Sequence, residues 1–171
     1  MSVFRPGGMD NTLGQLTLNG GSGILIEDSV NSEGAGGAFA NSPFVLNADM
    51  ESLGIGVLTV ASGRSVTTTF GDIVVTAFDL DLVGSVNSVG TGSSPAPMSI
   101  HGSKVSQTFG FGHVAKDMHL DNVELAHLIG QHVDFGYQGD IHLNNATAGG
   151  VAYISGMWSL VANADDATGA Y

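Results

Sequence analysis

Five of the six histidines lie between Gly112 and Asn145, a density that raises the question of a metal site or a catalytic base. Two ligands on one strand face are two residues apart, and two on a helix face are three or four apart. No pair in this stretch has such a spacing, so the sequence predicts histidines that do not converge. A site assembled across strands or between subunits is the alternative. The five are His113, His119, His127, His132 and His142.

Paired carboxylates are the second group with chemical potential. Asp79 and Asp81 are predicted to lie on the same face of one strand, and Asp134 and Asp140 on the same face of another. Such pairs serve in glycoside hydrolysis or calcium binding. The chain lacks the Asp-x-Asp-x-Asp-Gly calcium loop, so a solvated acidic face is predicted. If a metal does bind, the candidate ligands are Asp134, Asp140 and His142, with calcium at a junction between subunits as the expected ion. No other cofactor is expected.

Motifs for nucleophilic catalysis and nucleotide binding are absent from the sequence. There is no cysteine, no Gly-x-Ser-x-Gly elbow and no phosphate-binding loop. The lack of cysteine also excludes disulfides and thiolate metal sites. We therefore predict that the protein is not an enzyme.

The charge composition limits the partners. Charged residues make up 12% of the chain, about half the usual share, and the formal net charge is −12. So acidic a chain is not expected to bind nucleic acid directly or to attach to an anionic membrane. No apolar run is long enough for membrane insertion, and the first residues lack the apolar core of a signal peptide. A surface poor in charge is typical of a subunit covered by copies of itself, with a monomer from a salty habitat as the alternative.

Hydrophobic residues recur with period two, which predicts strands. The clearest run starts at Val133 and continues through Phe135, Ile141 and Leu143, as one long strand or two joined at Gly139. The polar residues of this run lie on the opposite strand face, which is the predicted interface with another subunit. They are Asp134, Gln138, Asp140 and His142.

Similar alternation is found over 44–51, where Asp49 falls on the polar parity, and over 73–82. Turn-forming clusters of Gly, Ser, Asn and Pro separate the runs. These patterns predict an all-β fold, a jelly-roll-like or related two-sheet β-sandwich or barrel of about 8–10 strands. At most one short helix is expected, at about 121–130, capped by Asp121 or Asn122 and ended by Gly130, although the same residues also fit a strand.

The predicted organisation is a flexible N-terminal arm (1–12), one β domain (13–161) and a flexible acidic tail (162–171). The predicted function is a non-enzymatic, self-assembling structural subunit, specifically a virion protein such as a small capsid, decoration or tail component. Its expected partners are copies of itself and other assembly proteins, in a virion or an extracellular assembly.

Two alternatives remain open. One is an extracellular filament or surface-layer subunit of a prokaryote, and the other is a ligand- or carbohydrate-binding β-sandwich module. A concave face with exposed aromatic side chains would favour the binding module. Because histidine titrates near neutral pH, assembly or stability is expected to change between about pH 8 and 5.

Overall fold

The computed structural model describes residues 2–3, 9–10, 16–32, 43–68, 71–88, 97–130, 132–137, 141–144 and 157–162. These residues contain 18 strands and one helix. Every described strand pair is parallel. The described part of the chain therefore has an all-β architecture, as predicted, but one built without antiparallel pairing.

The strands form four sheets. In order across the sheet, the first comprises β1 (Ser2–Val3), β4 (Gly23–Ile26), β7 (Val57–Val60) and β10 (Asp79–Leu82). The second, in the same manner, comprises β15 (Leu128–Gly130), β11 (Ser85–Ser88), β8 (Ser65–Thr68), β5 (Val30–Ser32) and β2 (Met9–Asp10). The third comprises β18 (Met157–Ala162), β16 (His132–Tyr137), β12 (Pro97–Gly102), β9 (Ile73–Ala77), β6 (Phe44–Asn47) and β3 (Leu16–Asn19). The fourth comprises β14 (Met118–Leu120), β13 (Phe109–Gly112) and β17 (Ile141–Asn144).

From β1 to β12 the chain visits the first three sheets in rotation, which makes the fold a parallel β-solenoid. β4, β5 and β6 form one turn, β7, β8 and β9 the next, and β10, β11 and β12 the one after. Over β1 to β12 the chain returns to a sheet only after it has passed through the other two. Beyond β12 the order changes, because β13 and β14 follow each other in the fourth sheet and only β17 separates β16 from β18. Neighbouring strands of a sheet therefore run in the same direction, and the third sheet counts six described turns.

Stacked apolar side chains fill the interior. Most strands with described side chains alternate buried residues with more exposed ones, and the register aligns the buried ones from turn to turn. In β13 all four residues are buried. In the third sheet, Phe44, Ile73, Met98 and Val133 lie in register, and all are at most 1% exposed. Ile24, Leu58 and Leu80 form a matching row in the first sheet. Full burial of one such side chain contributes about 1.5–3 kcal/mol, so these rows are the main source of stability.

The single described helix, α1, spans Asn122–Ala126 and begins at a capping box. Asp121 Oδ1 accepts hydrogen bonds from the N–H groups of Val123 (2.7 Å) and Glu124 (2.9 Å). Glu124 Oε2 accepts in return from the Asp121 N–H at 3.0 Å. The capping role expected of Asp121 is confirmed. The helix ends before His127 rather than at Gly130, which belongs to β15, so both alternatives for 121–130 are partly realised.

The jelly-roll or two-sheet sandwich topology is not confirmed, because those folds pair antiparallel strands. Period-two alternation reports which face is buried but carries no information on strand direction. The expected count of about 8–10 strands is too low, because two predicted runs each contain two strands and because several described strands, such as β5, β11, β12 and β14, lie outside the predicted runs. One predicted run divides at Phe78 into β9 and β10, which lie in different sheets.

The predicted domain boundaries stay predictions. Ser2–Val3 and Met9–Asp10, inside the proposed arm, are strands that pair with β4 and β5. The last described strand extends to Ala162, and the rest of the proposed tail lies outside the described residues.

Candidate functional site

The four predicted interface residues do not fall on one described strand. Asp134 lies in β16 of the third sheet, between Ser99 and Ser159 of the neighbouring strands. His142 lies in β17 of the fourth sheet, opposite Gly110. Gln138 and Asp140 lie outside the described residues. The interface and the metal-ligand set built on these residues stay predictions, and among the described residues no group of three or more His, Asp or Glu could hold a metal ion.

Two of the clustered histidines hydrogen-bond to backbone carbonyl groups. His119 Nε2 lies 2.8 Å from the Gly112 carbonyl oxygen, and His127 Nδ1 lies 2.6 Å from that of Leu82. Because a carbonyl oxygen only accepts, each of these ring nitrogens is the donor. In the neutral form of each ring these bonds fix the tautomer, so that the second nitrogen is an acceptor.

One corner of the solenoid holds a buried polar network. Asp49 is 1% exposed and accepts hydrogen bonds from Ser103 Oγ (2.6 Å) and the Gly54 N–H (2.8 Å). Gln107, also 1% exposed, accepts from the Ser103 N–H at 2.8 Å and donates from Nε2 to the Phe78 carbonyl oxygen at 2.8 Å. The network therefore spans the corners that follow β6, β9 and β12, in three consecutive turns.

The pKa of Asp49 reflects two opposing effects. Burial raises it, but the hydrogen bonds from Ser103 and from the N–H groups of Gly54, Leu53 and Ile55 together outweigh burial, so the pKa lies below the ordinary value of 3.8. Asp49 is thus an ionised structural acceptor. Sequence reasoning places Asp49 on a polar strand face because it extends the alternation past Asn47, where β6 ends. The Asp-x-x-x-Leu-Gly spacing of a carboxylate-closed loop is the signal that could have revealed it.

Two further carboxyl groups, those of Glu124 in the helix and Asp79 in the first sheet, accept hydrogen bonds from the backbone of other elements. Glu124 Oε1 accepts from the Leu82 N–H at 3.3 Å, and Asp79 Oδ1 accepts from the His119 N–H at 3.0 Å. Burial raises the pKa of both carboxyl groups, and hydrogen bonds from backbone N–H groups only partly offset it. In both carboxyl groups, as in Asp49, oxygen atoms are engaged with the backbone.

An open groove of about 420 Å³ lies where the first sheet passes into the second. It is lined by Gly63, Arg64, Ser65, Val83, Gly84, Ser85, Asn87 and His127. Arg64 brings a cationic guanidinium on a side chain that is 46% exposed, and its Nη1 forms a 3.3 Å ion pair with Asp28. Within the described residues, Asn87 Oδ1 is buried without a hydrogen-bond partner. No sequence motif points to these residues, because they come together only through the coil.

The floor of the groove is held by backbone contacts between successive corners. The Gly84 N–H donates to the Val60 carbonyl oxygen at 2.8 Å, and the Ser85 N–H donates to the Arg64 carbonyl oxygen at 3.0 Å. A Cβ atom at Gly84 would overlap the carbonyl oxygens of Arg64 and Ala61. Glycine is therefore required for the two corners to approach, and the groove has a preformed shape.

Comparisons with known proteins found no family model, no curated protein and no solved structure that matches this chain. The described helix has five residues, and within the described part of the chain no helix has the length and hydropathy of a membrane span.

Proposed function

We propose that this protein is a non-enzymatic structural subunit that assembles head to tail with copies of itself. The observation that carries the proposal is the parallel solenoid, whose third sheet adds one strand per turn from β3 to β18. In the described part of the chain these are its end strands, and each has one pairing partner. A strand at the end of a sheet is a template for another strand. Because all described pairs are parallel, the β18 end of one copy is complementary to the β3 end of the next.

The geometry of a solenoid supports an elongated assembly. Six strands spaced about 4.8 Å apart extend about 24 Å along the axis, and every added copy would lengthen the rod by a similar amount. The two end strands of the third sheet carry no charged residue, since β3 has the sequence Leu-Thr-Leu-Asn and β18 the sequence Met-Trp-Ser-Leu-Val-Ala. Few like charges would oppose the approach of a second copy, despite the net charge of −12.

The engagement of the titratable side chains supports a non-enzymatic role. Asp49, Asp79 and Glu124 accept hydrogen bonds from backbone N–H groups, and His119 and His127 donate to carbonyl oxygens. In each case the polar atom closes a loop, caps a helix or joins two turns. These bonds give the carboxylates and imidazoles structural roles within the solenoid.

Two settings fit such a rod. The first is a virion, where the subunit would be a tail, decoration or small capsid component, and a growing rod suits a tail more directly than a closed shell. The second is an extracellular filament or surface layer of a prokaryote. Both use the same end-to-end contact, and electron microscopy of the native source separates them by the particle that contains the protein.

Light scattering coupled to size-exclusion chromatography tests the assembly. We expect species larger than the 17.4 kDa chain whose mass rises with protein concentration. A lysine on an end strand, Thr17→Lys in β3, should lower the mass because an edge lysine opposes strand addition. The matched control is Thr59→Lys in β7, a strand paired on both sides. A monomer at millimolar concentration, or equal masses for the two variants, would contradict the proposal.

A further inference from the structure

The groove between the first and second sheets has the features of a ligand site rather than of a packing defect. Its volume of about 420 Å³ falls within the range of about 300–1,000 Å³ that is typical of small-molecule sites. Apart from two glycines and Val83, its lining side chains are polar, and its floor is fixed by hydrogen bonds between successive corners. A preformed site loses little free energy in ordering itself around a ligand.

The charge in the groove selects the ligand class. The chain has four Lys and Arg residues in all, and Arg64 places one of them in this concavity. A guanidinium carries five N–H donors in a planar fork, of which the bond to Asp28 uses one. The remaining donors suit a carboxylate, which a planar fork binds through two parallel hydrogen bonds. Because Asp28 already offsets part of the charge and the chain carries −12, a singly charged ligand fits better than a polyanion.

The other polar groups of the groove suit hydroxyls. Ser65 and Ser85 present hydroxyl groups that both donate and accept. His127 uses Nδ1 as a donor to the Leu82 carbonyl oxygen, so Nε2 of the neutral ring is an acceptor. Asn87 Oδ1 also has no partner within the described residues, but it is buried and not open to a ligand. One carboxylate-binding donor fork beside several hydroxyl partners matches a sugar that carries a single carboxyl group.

We propose that this groove binds an acidic saccharide unit, a uronic acid residue whose carboxylate pairs with Arg64 and whose hydroxyls contact Ser65, Ser85 and His127. The open shape leaves room for the unit to be part of a longer chain. The site is independent of the end-to-end contact, because it lies on the lateral surface at a corner of the solenoid. Binding and assembly can therefore succeed or fail separately.

Titration calorimetry and chemical-shift mapping with methyl β-D-glucuronide, methyl β-D-glucoside, acetate and inorganic phosphate test the proposal on the intact chain. We expect the glucuronide to bind at least tenfold more tightly than the glucoside, with shifts at residues 63–65 and 83–87. Acetate and phosphate should bind at least tenfold more weakly than the glucuronide, because they lack the hydroxyl contacts. Acetate or phosphate binding as tightly as the glucuronide would overturn the saccharide assignment.

Arg64→Gln is the decisive variant, and Lys116→Gln is its matched control, since both remove one positive charge and Lys116 is exposed outside the groove. We expect Arg64→Gln to weaken glucuronide binding at least tenfold and to abolish the preference over the glucoside. Lys116→Gln should stay within twofold of the unmodified protein. Arg64→Lys retains the charge without the planar fork and should give an intermediate affinity. Equal losses in the Gln variants, or no glucuronide binding to the unmodified protein, would overturn the proposal.

Discussion

Ser103 Oγ donates a 2.6 Å hydrogen bond to Asp49 Oδ2, which joins two turns of the solenoid that are not neighbours in the third sheet. Asp49 follows β6 and Ser103 follows β12, with β9 between them. Gln107 completes the connection by donating to the Phe78 carbonyl oxygen of the intervening corner. In a solenoid most contacts join adjacent turns, so a bond that spans three turns adds cooperativity along the axis.

Replacement of Asp49 by Ala should lower the free energy of unfolding by about 3 kcal/mol, since it leaves several buried donors without an acceptor. Urea unfolding at neutral pH measures this loss. Asp72→Ala is the matched control, because Asp72 is an exposed carboxylate and its removal changes the net charge equally. A loss no larger than that of the control would show that the network contributes little.

The same carboxylate should make stability depend on acid. Its pKa is lowered on folding, so Asp49 contributes stability that is fully present above the ordinary value of 3.8 and is lost as the pH falls through the folded-state value. We expect the stability difference between the unmodified protein and Asp49→Asn to shrink as the pH falls from about 7 towards about 3. A difference that is constant over this range would mean that Asp49 is not ionised preferentially in the folded state.

Sequence reasoning identifies the strands of this fold far better than their arrangement. The buried parity of Val133 and Phe135 is predicted and observed, because alternation depends only on the pleat of the strand. The corners escape prediction because the chain turns between sheets without a strong breaker, as at Phe78 between β9 and β10. The groove could not be predicted from the sequence for a related reason. Arg64 and His127 line it together only because successive turns of the solenoid stack distant corners on one another.

Gly56 occupies a corner where no side chain fits. A Cβ atom there would overlap the carbonyl oxygen of Ala48, which belongs to the backbone and cannot move aside as a side chain can. We expect Gly56→Ala to destabilise the fold by about 2 kcal/mol or more, as measured by thermal or urea unfolding. At Gly21 the nearest atoms are those of the Glu51 side chain at 3.7 Å, so Gly21→Ala should change stability by less than about 1 kcal/mol. Similar losses for both would indicate that the corner relaxes freely.

The stacked rows of the interior should be sensitive to truncation. Leu58 is 0% exposed and lies in register between Ile24 and Leu80. Leu58→Ala should cost about 2–5 kcal/mol, because it removes buried methyl groups and opens a cavity that both neighbouring turns line. Leu25→Ala is the control, since Leu25 is 36% exposed on the outer face of the same sheet and should lose under about 1 kcal/mol. Comparable losses in urea unfolding would argue against an interior packed in register.

Asp79 should show the opposite dependence on pH to Asp49. Burial raises its pKa, and the hydrogen bond from the His119 N–H offsets this only partly, so the folded state favours the protonated carboxyl group. The resulting stability is fully present below the ordinary value of 3.8 and is lost as the pH rises through the folded-state value.

Asp79→Asn keeps an oxygen that accepts from His119 and carries no charge to desolvate. We therefore expect this variant to gain stability relative to the unmodified protein as the pH rises from about 3 to about 7. Asp72→Asn, at an exposed position, should show no such gain, and urea unfolding across this range distinguishes the two. If Asp79→Asn instead lost stability with rising pH, the ionised carboxylate would be the form that the fold requires.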